Sequence, residues 1–275
     1  MLEDKNQLIT GLKAICSRAG DAILEVYQQP ELWQTQQKSD ASPVTAADLA
    51  AHQIISQGLQ ALTPELPLLS EEAADIPWEE RRLWSTYWLA DPLDGTKEFL
   101  DRNDEFTVNI ALIEQGQASL GIIYQPTTAC FWWGDRQLGA WKQTATAEPE
   151  RIQVRPLKGQ QLHLLTSHRH GLDKLQPVLT ALRHQKLLLE SSPLGSSLKF
   201  CRLAEGLADF YPRLGPTGEW DTAAAQAILE AAGGQLLNWQ LEPLTYNQKP
   251  ELINPDFVAL ADPSQPWHQW LKAFT

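Results

Sequence analysis

The stretch WLADPLDGTKEF, residues Trp88–Phe99, brings two carboxylates and a proline together within four positions. The apolar residues that precede Asp91 predict the end of a buried strand. Pro92 has no backbone N–H and therefore predicts that strand pairing ends and the chain turns there. The carboxylates of Asp91 and Asp94 and the free carbonyl of Leu93 form a set of oxygens that suits a hard divalent cation.

Gly95 and Thr96 follow the second carboxylate directly. Gly95 can adopt a positive φ, which lets a ligand approach the main chain closely. The Thr96 hydroxyl and the backbone N–H groups after Gly95 are suited to hold an anion. An isolated DPxDG is equally compatible with an ordinary solvated turn, because Asp, Pro and Gly are common turn residues. Other parts of the chain must therefore decide between the two interpretations.

Composition narrows the class of protein. The 275 residues, 43% apolar and 20% charged, suffice for one large globular domain or two smaller ones that share a core. The formal net charge of −12 disfavours nucleic-acid polymers and anionic lipid, so we expect at most weak peripheral membrane association. No apolar run approaches the ~20 residues of a membrane span. The scattered Cys16, Cys130 and Cys201 predict reduced thiols and a cytoplasmic protein.

The first part of the chain predicts helices followed by an antiparallel meander. Apolar residues at three- and four-residue steps predict helices over 2–28 and about 46–62, joined by a polar loop over 34–42. Between Trp84 and Trp141, short apolar runs alternate with turn residues, as in a meander. Its predicted strands are 106–113, 118–125, 129–133 and 139–142.

The second part predicts alternating strands and helices, which is typical of an α/β arrangement. The predicted strands are 162–166, 186–190 and 208–211, and the predicted helices are 172–182, 196–204 and 221–232. A polar link over 144–150 separates this part from the meander. We therefore predict an N-terminal α+β half, residues 1–148, and a C-terminal α/β half, residues 149–275.

Further acids lie where predicted elements change. Asp48 is in the first turn of the second helix, Glu71 follows a short strand, and Asp221 opens an alanine-rich helix. Each has a simpler explanation when taken alone. Asp48 and Asp221 are common types of helix cap, and Glu71 with Glu72 is typical of a solvated acidic pair.

Together these segments resemble a known family. LLSEE (68–72), WLADPLDGTKEF (88–99) and EWDTAAAQAILEAAGG (219–234) resemble the inositol monophosphatase superfamily of metal-dependent, lithium-sensitive phosphatases. The resemblance is narrowed to 3′(2′),5′-bisphosphate nucleotidases of the bacterial CysQ type by SPVTAADLAAH (42–52), EFTVNIALI (105–113), GSSLKFC (195–201), LADFYPR (207–213) and WQLEPLTYN (239–247). Ala225 departs from the pattern, since the family usually has glycine there.

The resemblance implies a fold and a metal site. The fold would be a layered α-β-α-β-α sandwich of the inositol monophosphatase/fructose-1,6-bisphosphatase type, an α/β (α+β) class, with the active site between its halves. Two or three Mg²⁺ ions would bind there. Glu71, Asp91 and the Leu93 carbonyl would hold the first ion, and Asp91, Asp94 and Asp221 the second. A third ion would bind transiently near Glu71.

The resemblance also implies a reaction. Adenosine 3′,5′-bisphosphate would be hydrolysed to AMP and phosphate by attack of a metal-activated water, and 3′-phosphoadenylyl sulfate would be a further substrate. Thr96, paired with Asp48, would orient and deprotonate that water, with Glu71 as a further catalytic residue. Gly95 and Thr96 would donate backbone hydrogen bonds to the phosphate, and Asp221 would also lie against the substrate. An inositol or sugar phosphatase and an inactive nucleotide or metal sensor are the alternatives, and both a monomer and a homodimer are open.

Three positions bear on the choice of phosphate ester. Inositol phosphatases usually carry Glu at the position of Arg213 and Asn at that of Lys199, whereas cations there would suit a second phosphate. By the same resemblance, Ser196 would contact the nucleotide. Taken alone, Lys199 would be an exposed helix residue and Arg213 the end of a surface strand. His168 and His170 are further candidates at the adenosine end.

Overall fold

The computed structural model describes residues 5–33, 36–37, 43–168, 172–272 and 274. Its helices are α1 (Lys5–Gln28), α2 (Ala46–Leu62), α3 (Trp78–Arg81), α4 (Thr96–Asp101), α5 (Leu172–His184), α6 (Leu198–Ala204), α7 (Trp220–Ala231) and α8 (Trp267–Trp270). Its strands are β1 (Gln36–Gln37), β2 (Pro43–Val44), β3 (Leu68–Ser70), β4 (Thr86–Asp94), β5 (Thr107–Glu114), β6 (Gln117–Gln125), β7 (Cys130–Asp135), β8 (Gly139–Gln143), β9 (Glu150–Ile152), β10 (Gln161–Thr166), β11 (Leu188–Pro193), β12 (Phe210–Arg213), β13 (Gln235–Asn238) and β14 (Phe257–Leu260).

A seven-stranded sheet in the order β3-β4-β5-β6-β7-β8-β9 forms the first half of the molecule. β3 and β4 are parallel, and every later pair is antiparallel, which confirms the predicted meander. Seven consecutive residues of β5 are buried, because both faces of the sheet are covered. β9 lies beyond the predicted boundary at 148/149 but pairs with β8, so this sheet extends into the second half.

Helices α1 and α2 cover one face of this sheet. Their apolar stripes bury Leu12, Ile23 and Ile55 completely, in one cluster with Trp88 and Ile110 of the sheet. Thr45 and Asp48 form a capping box at the start of α2, which explains why the helix begins where the sequence predicts it.

Helices α6 and α7 lie on the opposite face of the same sheet. The cluster that contains Ala223 and Ile228 of α7 also contains Ile123 of the first sheet and Phe257 of the second, so these helices form a central layer. Ala225 is buried in that layer and is 1% exposed.

Gly121 of β6 allows α7 to approach the sheet closely. A Cβ at this position would stand 2.2 Å from the Ala224 carbonyl oxygen. We expect Gly121→Ala to lower the free energy of unfolding by about 1–3 kcal/mol. The clashing atom belongs to the main chain of α7, which cannot move aside as the end of a flexible side chain can. Urea denaturation measures this, with Gly215→Ala as the control because its added Cβ would have no neighbour within 4 Å. Equal destabilisation by the two substitutions would contradict the packing argument.

A five-stranded sheet in the order β11-β10-β12-β14-β13 forms the next layer. β10 is parallel to β11 and β12, whereas β14 is antiparallel to β12 and β13. Its outer face packs against α5 through Val178 and against α8 through Trp267. The layers therefore follow the order α-β-α-β-α, which confirms the predicted fold class.

Several segments differ from the sequence prediction. Gln36–Gln37 pair antiparallel with Pro43–Val44, so part of the predicted loop over 34–42 is a short strand pair, and the rest lies outside the described residues. β12 begins at Phe210, two residues later than the predicted start at 208. β11 and α6 also begin two residues later than predicted. Lys186 and Ser196 have φ values of 63° and 52°, which belong to turns and delay both elements.

The described helices and the three cysteines bear on membrane contact and on redox state. In the described part of the chain, no helix combines the length and the apolar character needed to cross a bilayer. Cys16, Cys130 and Cys201 are all free and buried.

Candidate active site

The segment that carries Asp91 and Asp94 is a bulged strand end and not a turn. β4 continues to Asp94, and its pairing with β5 changes register between Asp91 and Asp94. The prediction that the chain turns at Pro92 is therefore wrong. A bulge accommodates a residue without an N–H, since one residue there lies outside the regular hydrogen-bond ladder. The turn follows at Gly95.

Gly95 has a φ of 93° and precedes the first turn of α4. A Cβ there would stand 3.0 Å from the Glu105 carbonyl oxygen, so both conformation and space favour glycine. Gly95 and Thr96 line a cleft of about 240 Å³ between the two sheets. The structure thus places the two residues predicted to bind phosphate at the wall of a cleft.

Three carboxylates converge beside this cleft, and two of them, Glu71 and Asp221, line it. Single oxygens of Glu71, Asp91 and Asp221 lie within 4.8 Å of one another. Glu71 follows β3 and Asp91 lies near the end of the parallel neighbour β4, so both reach the same edge of the sheet. Asp221 comes from the first turn of α7. Its carboxylate accepts a hydrogen bond of 2.9 Å from the Gly218 N–H.

The electrostatics of this cluster favour a cation. Burial raises the pKa of Asp91 well above its usual range, and the charges of Glu71, Asp94 and Asp221 raise it further. The pKa of Asp221 is raised by burial and then by Asp94 and Glu71. Converging carboxylates with this unfavourable charge balance are a donor set that fits Mg²⁺.

Asp94 lines the same cleft but is not one of the three clustered carboxylates. Its Oδ2 accepts hydrogen bonds from the Ser196 hydroxyl at 2.8 Å and from the Ser197 N–H and hydroxyl at 2.6 and 2.7 Å. The Leu93 carbonyl lies 3.4 Å from the Thr96 hydroxyl. Of the predicted ligands from 91–94, Asp94 lines the cleft together with residues of the second half, whereas Asp91 and Leu93 are buried.

Asp48 is both a helix-capping residue and a neighbour of Thr96. Its Oδ2 accepts hydrogen bonds from the N–H and hydroxyl of Thr45 at 2.7 and 2.6 Å. Its Oδ1 lies 3.2 Å from the Thr96 hydroxyl. Burial raises the pKa of Asp48 to about 6, and Glu72 and Glu71 add to the rise. The two interpretations of Asp48 from the sequence are thus compatible.

Lys199 and Arg213 line the cleft, as does Lys97. Lys199 is 5% exposed, which excludes the simple explanation of a solvated helix residue. Its ammonium group donates to the carbonyls of Leu194 at 2.9 Å and Ser196 at 2.7 Å. Arg213 donates to the Ser167 hydroxyl at 2.8 Å, and its buried Nε has no partner among the described residues.

His168 lies in the cleft wall and is held by Glu105, a residue that sequence reasoning did not single out. The His168 Nε2 is 2.7 Å from Glu105 Oε2, which also accepts the Gly195 N–H at 2.6 Å. His170 lies outside the described residues. Asn109 was missed as well, although a buried amide within the apolar strand β5 is a detectable signal.

Comparison with known proteins agrees with this geometry. Residues 4–268 match the sequence model of the inositol monophosphatase family. The chain is 47% identical to the 3′(2′),5′-bisphosphate nucleotidase CysQ of Salmonella typhimurium over 251 residues, which is 90% of this chain and 98% of that protein. It is 46% identical to the CysQ of Escherichia coli K12, over 88% of this chain and 95% of that protein.

Solved structures show the same fold. The crystal structure of CysQ from Bacteroides thetaiotaomicron superposes with a TM-score of 0.81 at 35% identity, covering 95% of this chain and 99% of that one. An inositol monophosphatase of Thermotoga maritima has a TM-score of 0.77 at 18% identity, covering 98% of this chain and 96% of that one, and shares the fold. The layered fold, the acidic cluster and these matches together show that the chain belongs to the inositol monophosphatase family.

Proposed function

We propose that this chain is a Mg²⁺-dependent 3′(2′),5′-bisphosphate nucleotidase that hydrolyses adenosine 3′,5′-bisphosphate to AMP and phosphate, with 3′-phosphoadenylyl sulfate as a further substrate. The observation that carries the proposal is a single cleft lined by Glu71 and Asp221 of the carboxylate cluster and also by the cations Lys199 and Arg213. A substrate with two separated anionic groups matches that arrangement. The relatives at 46% and 47% identity bear the name of this activity.

Five residues would hold the metal. Glu71, Asp91 and the Leu93 carbonyl suit one Mg²⁺, and Asp91, Asp94 and Asp221 suit a second. A third ion would bind transiently near Glu71. When bound, Mg²⁺ lowers the pKa of water and offsets the charge of the phosphate. The protein contributes a preformed set of oxygens whose mutual repulsion a cation relieves.

Residues beside the metal site would position water and phosphate. Asp48 accepts a hydrogen bond from the Thr96 hydroxyl, so the Thr96 oxygen can in turn accept a hydrogen bond from the attacking water. Ionised Asp48 then serves as the group that receives the proton through Thr96. The N–H groups of Gly95 and Thr96 would bind phosphate oxygens, and Glu71 would share in orienting the water.

This role predicts an acid limb in the activity. The pKa of Asp48 is raised to about 6, so its ionised fraction falls as the pH drops through that value. We expect kcat to fall at acid pH as Asp48 becomes protonated, and Asp48→Asn to remove this limb together with most of the activity. Because the pKa in the folded protein lies above the value of 3.8 expected for an unfolded chain, ionisation of Asp48 destabilises the folded protein as the pH rises from about 4 to 6. A pH–rate profile of the same shape for the wild type and for Asp48→Asn would contradict the role of Asp48 as proton acceptor.

Two basic residues of the cleft, Lys199 and Arg213, would recognise the second anionic group. Arg213 is anchored by the Ser167 hydroxyl at 2.8 Å and the Pro216 carbonyl at 3.3 Å, which hold its guanidinium group at the wall of the cleft. Lys199 contributes charge while its ammonium group holds two main-chain carbonyls. Ser196 and His168 complete the proposed nucleotide contacts.

We further propose that the enzyme acts in the cytoplasm on a small nucleotide, as a monomer or a homodimer. Its three buried free thiols suit a reducing compartment. The net charge of −12 suits neither a nucleic-acid polymer nor more than weak membrane contact.

The test is phosphate release from adenosine 3′,5′-bisphosphate and from inositol 1-phosphate, each with Mg²⁺, with Mg²⁺ and millimolar Li⁺, and with EDTA. We expect Mg²⁺-dependent, Li⁺-sensitive release with the nucleotide preferred. Preference for inositol 1-phosphate would replace the proposal with an inositol phosphatase. Tight nucleotide binding without release from either ester would replace it with a sensor.

A further inference from the structure

Ser197 occupies the position that precedes α6, yet its side chain does not cap that helix. A serine there ordinarily accepts a hydrogen bond from the first turn. In this protein the Ser197 hydroxyl lies 2.7 Å from Asp94 Oδ2 and 3.1 Å from the Asp221 carbonyl oxygen, and the Ser197 N–H reaches the same Oδ2 at 2.6 Å. One serine thus contacts two proposed metal ligands that come from different halves of the molecule.

The hydrogen bonds on Asp94 are concentrated on one oxygen. Besides Ser197, the Ser196 hydroxyl at 2.8 Å and the Asn109 amide at 3.3 Å also donate to Oδ2. None of the described residues donates to Oδ1. A carboxylate bound in this way has a fixed orientation, with the other oxygen left to coordinate a cation.

Asn109 determines how Ser197 uses its single proton. The Asn109 amide donates to the Ser197 oxygen at 2.9 Å, so the Ser197 proton is left for Asp94 and the Asp221 carbonyl. Asn109 in turn accepts the Thr107 hydroxyl at 2.9 Å. Asn109, Thr107 and Ser197 are all 1% exposed or less, so water does not compete for these bonds.

We propose that Ser197 is a positioning residue for the second magnesium ion, which it serves by fixing Asp94 Oδ2 and the main chain of Asp221. The inference rests on the proposed function, since it concerns the metal site of that reaction. The hydrogen bonds of Ser197 join it to Asp94, to the Asp221 carbonyl and to Asn109. Its loss should therefore weaken metal binding first and substrate binding little.

The experiment measures Mg²⁺ binding directly, by calorimetric titration of the metal-free protein without substrate. We expect Ser197→Ala to raise the dissociation constant of the more weakly bound Mg²⁺ about tenfold, as loss of a residue that orients a metal ligand does in other metalloproteins. The Mg²⁺ concentration for half-maximal activity should rise in parallel, whereas KM for the nucleotide at saturating Mg²⁺ should stay unchanged. Ser119→Ala is the matched control, because it removes a hydroxyl that donates to the Leu112 carbonyl in the same sheet.

The results of these titrations distinguish a positioning role of Ser197 from a purely structural one. Unchanged Mg²⁺ affinity in Ser197→Ala would overturn the proposal, as would a lower melting temperature in EDTA with no effect on metal binding. If Ser197→Ala does not fold, Asn109→Ala is expected to weaken Mg²⁺ binding in the same direction, and wild-type affinity in that variant would overturn the proposal too. A wild-type protein that binds Mg²⁺ but does not hydrolyse the nucleotide would reject the proposed function, while the binding comparison would still decide the role of Ser197.

Discussion

Asp221→Asn is expected to lower kcat for adenosine 3′,5′-bisphosphate by about 10³-fold, because it removes a charged ligand worth several kcal/mol in the transition state. The metal-free protein should respond in the opposite direction. The pKa of Asp221 is raised in the folded state, so its ionisation weakens folding as the pH rises above the usual range of a carboxyl group. At pH 8 in EDTA, the variant should melt at the same temperature as the wild type or above it.

A turnover assay tests the loss of kcat, and melting curves with and without Mg²⁺ test the expected stability and the loss of metal binding. Mg²⁺ should raise the melting temperature of the wild type more than that of Asp221→Asn, because a ligand stabilises the state that binds it. The exposed Asp256 provides a control, and Asp256→Asn should change neither activity nor the response to Mg²⁺. Wild-type turnover per folded molecule in Asp221→Asn would refute the assignment of Asp221 to the metal site.

Arg213→Glu is expected to reduce kcat/KM for adenosine 3′,5′-bisphosphate about 100-fold, since a charge-assisted hydrogen bond is lost and repulsion replaces it. Hydrolysis of inositol 1-phosphate, which has no second phosphate, should change far less. The ratio of the two specificity constants is therefore the informative measurement. Arg213→Lys should recover part of the loss, because it restores the charge without the planar geometry.

A charge reversal outside the cleft distinguishes recognition of the substrate by Arg213 from an effect of the protein's overall electrostatic field. Arg82 is exposed and pairs with Glu79 one turn away, so Arg82→Glu should leave the ratio unchanged. An equal decline for both substrates in Arg213→Glu would show that Arg213 supports the fold of the cleft and does not select the ester.

Local sequence was sufficient to predict the elements whose ends carry recognisable capping residues. The bounds of α2 agree with the prediction, because Thr45 and Asp48 cap its first turn. Pro92 was misinterpreted for a physical reason, since a missing N–H is compatible with a turn and also with a bulge inside a strand. Only the pairing of β4 with β5 distinguishes the two.

The site was predictable where its residues lie in short motifs and not where it depends on remote contacts. Glu71, Asp91 and Asp221 stood out because acids at element ends matched a known pattern, and the structure brings them together. The link from Asn109 to Ser197 joins positions 88 residues apart, and no local pattern encodes it. The burial of Lys199 likewise follows from the place of α6 between two sheets.

The central layer of α6 and α7 has a consequence for protein engineering. These two helices follow residue 149 in the chain but cover one face of the sheet that is built mainly before it. A chain cut at the polar link would leave that face without its cover and would remove Asp221 from the acids it joins. Chimaeras between relatives should therefore exchange α7 together with the seven-stranded sheet it packs on, because a crossover at the link would combine a helix with a surface that did not evolve with it.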